Sequence, residues 1–158
     1  MDRLWNPWRF QYVTKEKPSN GCIFCDLPRA GNDEEALIVH RGRFNYVILN
    51  RYPYTTGHLM VVPFQHTDSL QGIDDATAEE LFSLIRKSDR IVRDVYRPKG
   101  MNVGMNLGEA AGAGIAEHIH MHLLPRWIGD ANFLTVIGET RILPEELSET
   151  YRKLKPKF

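Results

Sequence analysis

The sequence has no net charge, because 20 lysine and arginine residues balance 20 aspartate and glutamate residues among its 158 positions. A chain without excess positive charge has no overall electrostatic attraction to nucleic acid or to an anionic membrane. Long apolar runs are also lacking, and residues 1–13 mix charged with aromatic side chains instead of forming the apolar core of a signal peptide. We therefore expect a cytoplasmic protein whose partners include neither a membrane nor a nucleic acid.

Cysteine is scarce, since the chain contains only Cys22 and Cys25, which are separated by two residues. One pair cannot form the framework of several disulfides that stabilises small secreted domains. The C-x-x-C spacing is typical of metal sites and of redox sites. Two small buried side chains are a third interpretation. The spacing alone does not decide among these three interpretations.

Internal repeats are absent, and the stretches rich in proline and glycine are short enough to be turns. The composition, 42% hydrophobic and 25% charged, is that of a soluble globular domain that buries a core. We predict a single domain over residues 1–158.

Hydrophobic patterning predicts four strands and two helices. Apolar and β-branched runs indicate the strands, and apolar residues three and four positions apart indicate the helices. Thr77 and Glu80 have the spacing of a capping box at the start of the long helix. The predicted strands are 45–50, 58–63, 101–107 and 117–125, and the predicted helices are 76–96 and 144–153. This order predicts an α+β fold with a mainly antiparallel sheet.

Three of the six histidines, His118, His120 and His122, alternate with apolar residues. In a strand they would share one face at spacings of about 6.5 to 7 Å, while the apolar residues fill the core side. Three interpretations compete: a catalytic imidazole surface, a metal site built from alternate positions, and an ordinary polar strand face.

A loop of small residues, 106–114, directly precedes the histidines. Glycines such as Gly112 and Gly114 let backbone N–H groups converge on an anion, and phosphate is the obvious candidate. Such loops are common as ordinary turns. Beside three histidines, the loop predicts a phosphate cradle facing a nucleophile.

The histidine string 118–124 resembles the signature of the histidine triad (HIT) superfamily of nucleotide hydrolases and transferases. The similarity extends in family order over residues 22–133. Residues 124–130 resemble the fragile-histidine-triad branch, which cleaves dinucleoside polyphosphates, and residues 4–9 resemble prokaryotic diadenosine tetraphosphate phosphorylases or hydrolases. The resemblance implies a HIT-like fold with five strands, one long and one short helix, and a homodimer with a continued sheet. It divides the single domain into an amino-terminal arm 1–21, a core 22–133 and a carboxy-terminal extension 134–158 with the short helix.

The resemblance also implies roles for individual residues. His120 would attack the α-phosphorus and form a nucleotidyl-histidine, which suits a side chain that is largely neutral near pH 7. His122 would contact the phosphate, Asn106 would contact the α-phosphate, and Asn50 would contact a ribose. For Asn50, the opening residue of a turn is an alternative interpretation.

Zinc-bearing relatives complete a C-x-x-C pair with two histidines, one after the second strand and one that opens the triad. A closed tetrahedral site requires four ligands. The implied ligands are Cys22, Cys25, His66 and His118. The zinc would be structural, and the reaction would require no catalytic cofactor.

The two remaining histidines, His40 and His58, have no clear assignment. His58 opens the second predicted strand and would be able to line the base pocket, whereas His40 is interpreted as structural. The chain departs from the family pattern at Gly114, where many relatives carry an amide or hydroxyl that contacts the phosphate chain. A backbone N–H or a second anion would take that space, so both water and inorganic phosphate are candidate acceptors.

The sequence thus predicts a nucleotidyl hydrolase or transferase that splits an adenine dinucleoside polyphosphate, with diadenosine tetraphosphate as the first candidate. A nucleoside phosphoramidase is the alternative within the family. A zinc-stabilised nucleotide sensor without turnover is the alternative from another class. An enzyme that processes nucleic-acid ends ranks lowest, because the chain has no basic tail.

Overall fold

The computed structural model describes residues 21–137 and 143–158, so the predicted amino-terminal arm lies outside the described residues except for Gly21. The strands are β1 (Ile38–Arg41), β2 (Asn45–Leu49), β3 (Leu59–Pro63), β4 (Gly100–Gly104) and β5 (Met121–Arg126). The helices are α1 (Ile23–Asp26), α2 (Asp33–Ala36), α3 (Asp75–Tyr96), α4 (Phe133–Val136) and α5 (Leu147–Leu154). Within the described ranges, no helix is both long and apolar enough to cross a membrane.

The five strands form one sheet in the order β1-β2-β3-β5-β4, and every neighbouring pair is antiparallel. This confirms the predicted α+β class with a mainly antiparallel five-stranded sheet. The sequence patterning did not locate β1, because that strand has only two consecutive apolar residues, Ile38 and Val39, and its register with β2 is irregular.

Both faces of the sheet are covered, as the burial of every residue in β2 and β3 shows. Successive side chains of a strand point to opposite faces. Val47 and Leu49 therefore pack with α3 and α5 on one face, whereas Tyr46 and Ile48 pack with Phe24 of α1 on the other. The second face carries the candidate site.

The long helix confirms the predicted element but begins one residue earlier. Its N-cap is Asp74, whose carboxylate accepts from the Thr77 N–H at 2.8 Å. The capping box assigned to Thr77 and Glu80 was therefore wrong, because Thr77 lies buried inside the first turn. Glu80 instead accepts from the N–H groups of residues 43–45, which fixes the β1–β2 turn to the helix.

The predicted strand 117–125 was wrong at its start, because β5 begins only at Met121. The Ile119 N–H donates to the Thr67 carbonyl at 2.8 Å and so leaves the ladder with β3, whose last pair is Val61 with Met121. His118 and His120 consequently precede the strand, so the prediction that all three triad histidines are strand residues is wrong for these two. The other predicted elements agree with the structure within a few residues.

Candidate active site

Four imidazoles lie at the junction of β3 and β5. His58, His118 and His120 are buried, and His122 is half-buried. The register that pairs Met60 with His122 places His58 diagonally across from His122. Each ring has a hydrogen-bond partner, so the pattern of donors and acceptors assigns the proton on each.

His120 is held by its own chain. Its Nδ1 lies 2.8 Å from the carbonyl oxygen of His118, and a carbonyl only accepts hydrogen bonds. The proton is therefore on Nδ1, and Nε2 carries the lone pair. Burial lowers the pKa of His120, despite the hydrogen bond to His118, so the ring is neutral near pH 7. The geometry gives His120 the form that a nucleophile requires.

Two rings lie beside the His120 imidazole. The Phe24 ring centroid and the His122 ring centroid each lie 4.8 Å from that of His120. Phe24 is buried, and its backbone carbonyl accepts from the Tyr46 hydroxyl at 2.7 Å, which anchors α1 to the sheet. The His120 ring thus packs against neighbours that are themselves held in place.

A hydrogen bond from His58 determines the tautomer of His122. The Tyr54 N–H donates to His58 Nδ1 at 3.2 Å, so the proton of His58 is on Nε2. That Nε2–H donates to His122 Nδ1 at 2.9 Å, which leaves His122 with a proton on its own Nε2. Burial lowers the pKa of His58 to about 3 and that of His122 to about 4, with neighbouring imidazoles adding to both shifts. Both rings stay neutral, and His122 presents a donor to the site.

His58 is a site residue whose role the sequence patterning missed. The available signal was a polar residue at the start of an apolar strand that pairs with the histidine strand. Which strands are neighbours in the sheet depends on the tertiary fold, so sequence periodicity alone did not predict the contact between His58 and His122.

The structure brings together the four implied zinc ligands, Cys22, Cys25, His66 and His118, whose ligand atoms all lie within 4.8 Å of one another. The Nδ1 atom of His118 lies 3.2 Å from Cys22 Sγ, 3.6 Å from Cys25 Sγ and 3.3 Å from His66 Nδ1. In a tetrahedral zinc site with ordinary bond lengths, ligand atoms lie about 3.3 to 3.8 Å apart. The observed distances fit that arrangement.

The protonation of these ligands also fits a cation. His118 Nε2 donates to the Pro63 carbonyl at 2.9 Å, so its Nδ1 lone pair faces the thiols. Burial raises the pKa of the Cys22 thiol, and the nearby Cys25 contributes to the increase. Holding both sulfurs as thiolates therefore requires a positive charge between them.

Local structure explains how the sequence assembles this cluster. Cys22 precedes α1 and Cys25 lies within it, with the Cys25 N–H donating to the Cys22 carbonyl at 2.9 Å. One helical turn thus places both thiols on the same side. His66 follows β3 and His118 precedes β5, so the cluster joins three distant segments of the chain.

Asn50 and Asn106 both lie in connections next to strands. Asn50 Oδ1 accepts from the Tyr52 N–H at 2.9 Å, which is the geometry of a turn-opening asparagine. Asn106 Nδ2 donates to the Gly112 carbonyl at 3.3 Å and so ties together the loop after β4. Their contacts with ribose and α-phosphate remain predictions.

The small-residue loop follows a strand end that lies beside the site, because β4 and β5 pair Gly104 with His122. Gly112 has a φ of 88°, a conformation that favours glycine. Its N–H donates to the Glu109 carbonyl at 2.9 Å within the turn. Of the two glycines predicted to hold an anion, Gly114 is therefore the one whose N–H is not used by that turn.

His40 lies on β1, three strands away from β5 in the sheet. Its ring stacks on Phe158 at 5.5 Å. The structural interpretation of His40 thus agrees with its surroundings.

Comparisons with known proteins identify a family and relatives that are similar in sequence to this chain. Residues 32–127 match the family model described as the HIT domain. The chain is 43% identical over 162 residues to a protein of Mycobacterium tuberculosis named AP-4-A phosphorylase, covering 98% of this chain and 83% of that one. It is 26% identical to the bis(5'-nucleosyl)-tetraphosphatase [asymmetrical] of Schizosaccharomyces pombe, covering 56% of this chain and 48% of the relative.

The fold also matches a solved structure, that of a Zn-bound histidine triad family protein from Mycobacterium smegmatis. The TM-score is 0.70 at 27% identity, and the match covers 87% of this chain and 92% of that one. The similarity confirms the expected HIT-like fold.

Proposed function

The chain belongs to the HIT domain family, and from this premise we propose that it cleaves dinucleoside polyphosphates, with diadenosine tetraphosphate as the main substrate, through a nucleotidyl-His120 intermediate. The observation that carries the proposal is the hydrogen bond from His120 Nδ1 to the His118 carbonyl, which leaves the Nε2 lone pair for attack. The relative named AP-4-A phosphorylase supports the choice of substrate.

In the first step, His120 Nε2 attacks the α-phosphorus, a P–N bond forms, and the bond from that phosphorus to the bridging oxygen breaks. With diadenosine tetraphosphate the leaving group is ATP. The Nε2–H of His122 is available to donate to a phosphate oxygen, as its hydrogen bond from His58 implies. The His118 carbonyl accepts from the imidazolium that forms on His120 and stabilises its charge.

In the second step, an acceptor oxygen attacks the same phosphorus and the P–N bond breaks, which restores His120. Inorganic phosphate carries an ionised oxygen near neutral pH, whereas water must lose a proton to a base. The pKa values of His58 and His122, about 3 and about 4, make both rings weak bases. This difference supports phosphate as the preferred acceptor, with the Gly114 N–H as a candidate contact.

The products distinguish the two acceptors. Incubation of the protein with diadenosine tetraphosphate and millimolar phosphate should yield ATP and ADP, and omission of phosphate should slow the reaction and yield ATP and AMP. Chromatographic separation of the nucleotides measures both. If AMP and ATP form without ADP at millimolar phosphate, the protein is a hydrolase. If the protein turns over an adenosine phosphoramidate faster than diadenosine tetraphosphate, it is a nucleoside phosphoramidase instead.

His58 should act as a positioning residue for His122. We expect His58→Leu to lower kcat about fivefold, because the lost hydrogen bond contributes about 1 kcal/mol and 1.4 kcal/mol corresponds to a factor of ten. His58→Gln retains a donor and should restore most of the rate. Steady-state kinetics and the ¹⁵N spectrum of His122 report rate and tautomer separately. Equal rates in the leucine and glutamine variants would contradict the role.

We further propose that Cys22, Cys25, His66 and His118 hold a structural zinc ion. Bound there, zinc would supply positive charge to two thiolates and link α1 to the segment before β5. The ring of His118 would serve the metal, while its carbonyl serves His120.

The assembly and domain organisation are part of the same proposal. One HIT domain spans residues 1–158, with the arm 1–21, core 22–133 and extension 134–158. β4 is an edge strand of the sheet, and Val103 on it is exposed. Such an edge suits a homodimer in which the sheet continues into the partner.

A further inference from the structure

Tyr54 lies in the connection between β2 and β3, at the rim of the four imidazoles. Its ring centroid is 4.8 Å from that of His58 and 6.1 Å from that of His122. Its N–H also donates to His58 Nδ1. Both the backbone and the ring of Tyr54 are therefore fixed against the site.

The exposure of Tyr54 separates it from the other aromatic ring beside the triad. Phe24 contacts His120 but is only 3% exposed, so its ring has almost no surface for a ligand. Tyr54 is 45% exposed although one part of its ring packs on His58. The residue thus presents aromatic surface to solvent beside His58, whose Nε2 is hydrogen-bonded to His122.

We propose that Tyr54 is a stacking surface for a nucleobase of the substrate. This inference rests on the proposed function, since it assumes a nucleotide at His120 and His122. Base stacking on an aromatic side chain contributes about 1 to 3 kcal/mol and is tolerant of base identity. A ring that already packs on His58 loses little freedom when the base binds, which favours such a contact. The base belongs either to the transferred nucleotide or to the leaving one.

Two substrates and four variants test the proposal. Diadenosine tetraphosphate has two bases, whereas the p-nitrophenyl ester of AMP has one, on the transferred side. Tyr54→Ala and Tyr54→Leu should raise KM about tenfold for the substrate whose base is stacked, with kcat within about twofold, as loss of one stacking contact predicts. Tyr54→Phe should behave as the unmodified protein. Tyr52→Ala, at another exposed tyrosine of the same connection, is the matched control.

The KM values for the two substrates distinguish the possible outcomes. A higher KM for both substrates places the transferred base on Tyr54, and a higher KM for diadenosine tetraphosphate alone places the leaving base there. An unchanged KM in Tyr54→Ala and Tyr54→Leu overturns the proposal. A fall in kcat without a change in KM also overturns it, because Tyr54 would then only position His58.

A binding measurement separates this proposal from the proposed function. In the His120→Ala background, calorimetry with diadenosine tetraphosphate measures Kd without turnover. An additional Tyr54→Leu substitution should weaken binding about tenfold, and equal Kd values would overturn the stacking role. If the unmodified protein binds diadenosine tetraphosphate but does not cleave it, the proposed function fails while the stacking contact is still tested.

Discussion

Replacing His120 by alanine should reduce the cleavage of diadenosine tetraphosphate by about a thousandfold or more, because loss of the nucleophile removes the covalent route. Nucleotide binding should be largely kept, since His120 is 5% exposed and offers little surface to the rest of the substrate. Single-turnover kinetics measure the chemical step, and calorimetry measures the Kd.

His122→Ala is the matched comparison for this prediction. His122 donates a hydrogen bond and forms no bond to phosphorus in the proposed mechanism, so its loss should have a smaller effect than that of His120. Mass spectrometry after an acid-free quench should detect an added nucleotidyl group on the unmodified protein and none on His120→Ala. Near-normal turnover in His120→Ala would refute the assignment of the nucleophile.

Removal of the metal should produce the largest change in stability. We expect about one equivalent of zinc per chain, and a chelator or Cys22→Ser should lower Tm by about 10 °C, as a loss of a few kcal/mol predicts for a domain of this size. Elemental analysis of the purified protein and a thermal melt give the two measurements. A protein without zinc whose Cys22→Ser variant melts at the same temperature would contradict the site.

His66 provides a specific control for the metal. It is exposed, so a substitution there should have little effect on the stability of a metal-free protein. If His66 ligates zinc, His66→Asn lowers Tm in the loaded protein and has no effect after chelation. An equal effect in both states would assign His66 an ordinary packing role.

The elements that the sequence predicted well are those whose apolar pattern is complete within the element itself. The 22 residues of α3 carry apolar positions over several turns, and β2 and β3 are short uninterrupted apolar runs. The grouping of Cys22, Cys25, His66 and His118 was also predictable, because two of these residues form a C-x-x-C pair and the family resemblance supplied the others. The structure then placed all four within reach of one ion.

The errors arose where a distant segment decides the local conformation. The alternation of histidine and apolar residues predicted that His118 and His120 lie in a strand. The Ile119 N–H donates to the Thr67 carbonyl instead, and β5 begins only at Met121. Glu80 has capping-box spacing within its helix, yet its carboxylate serves the β1–β2 turn. His58 acquires its role only because β3 and β5 are neighbours. None of these partners is visible in a sequence window.

His118 takes part in two centres through two different chemical groups, so a substitution at this position affects them separately. Its ring faces the cysteines, whereas its backbone carbonyl fixes the proton on His120. Every amino acid supplies a backbone carbonyl, so a substitution that removes the imidazole takes one donor atom from the cysteine cluster and leaves the acceptor for His120 Nδ1 in place. The reverse does not hold, because a shift of the backbone at this position disturbs both centres. The path of the backbone at residue 118 therefore matters to both centres, whereas the imidazole matters to one.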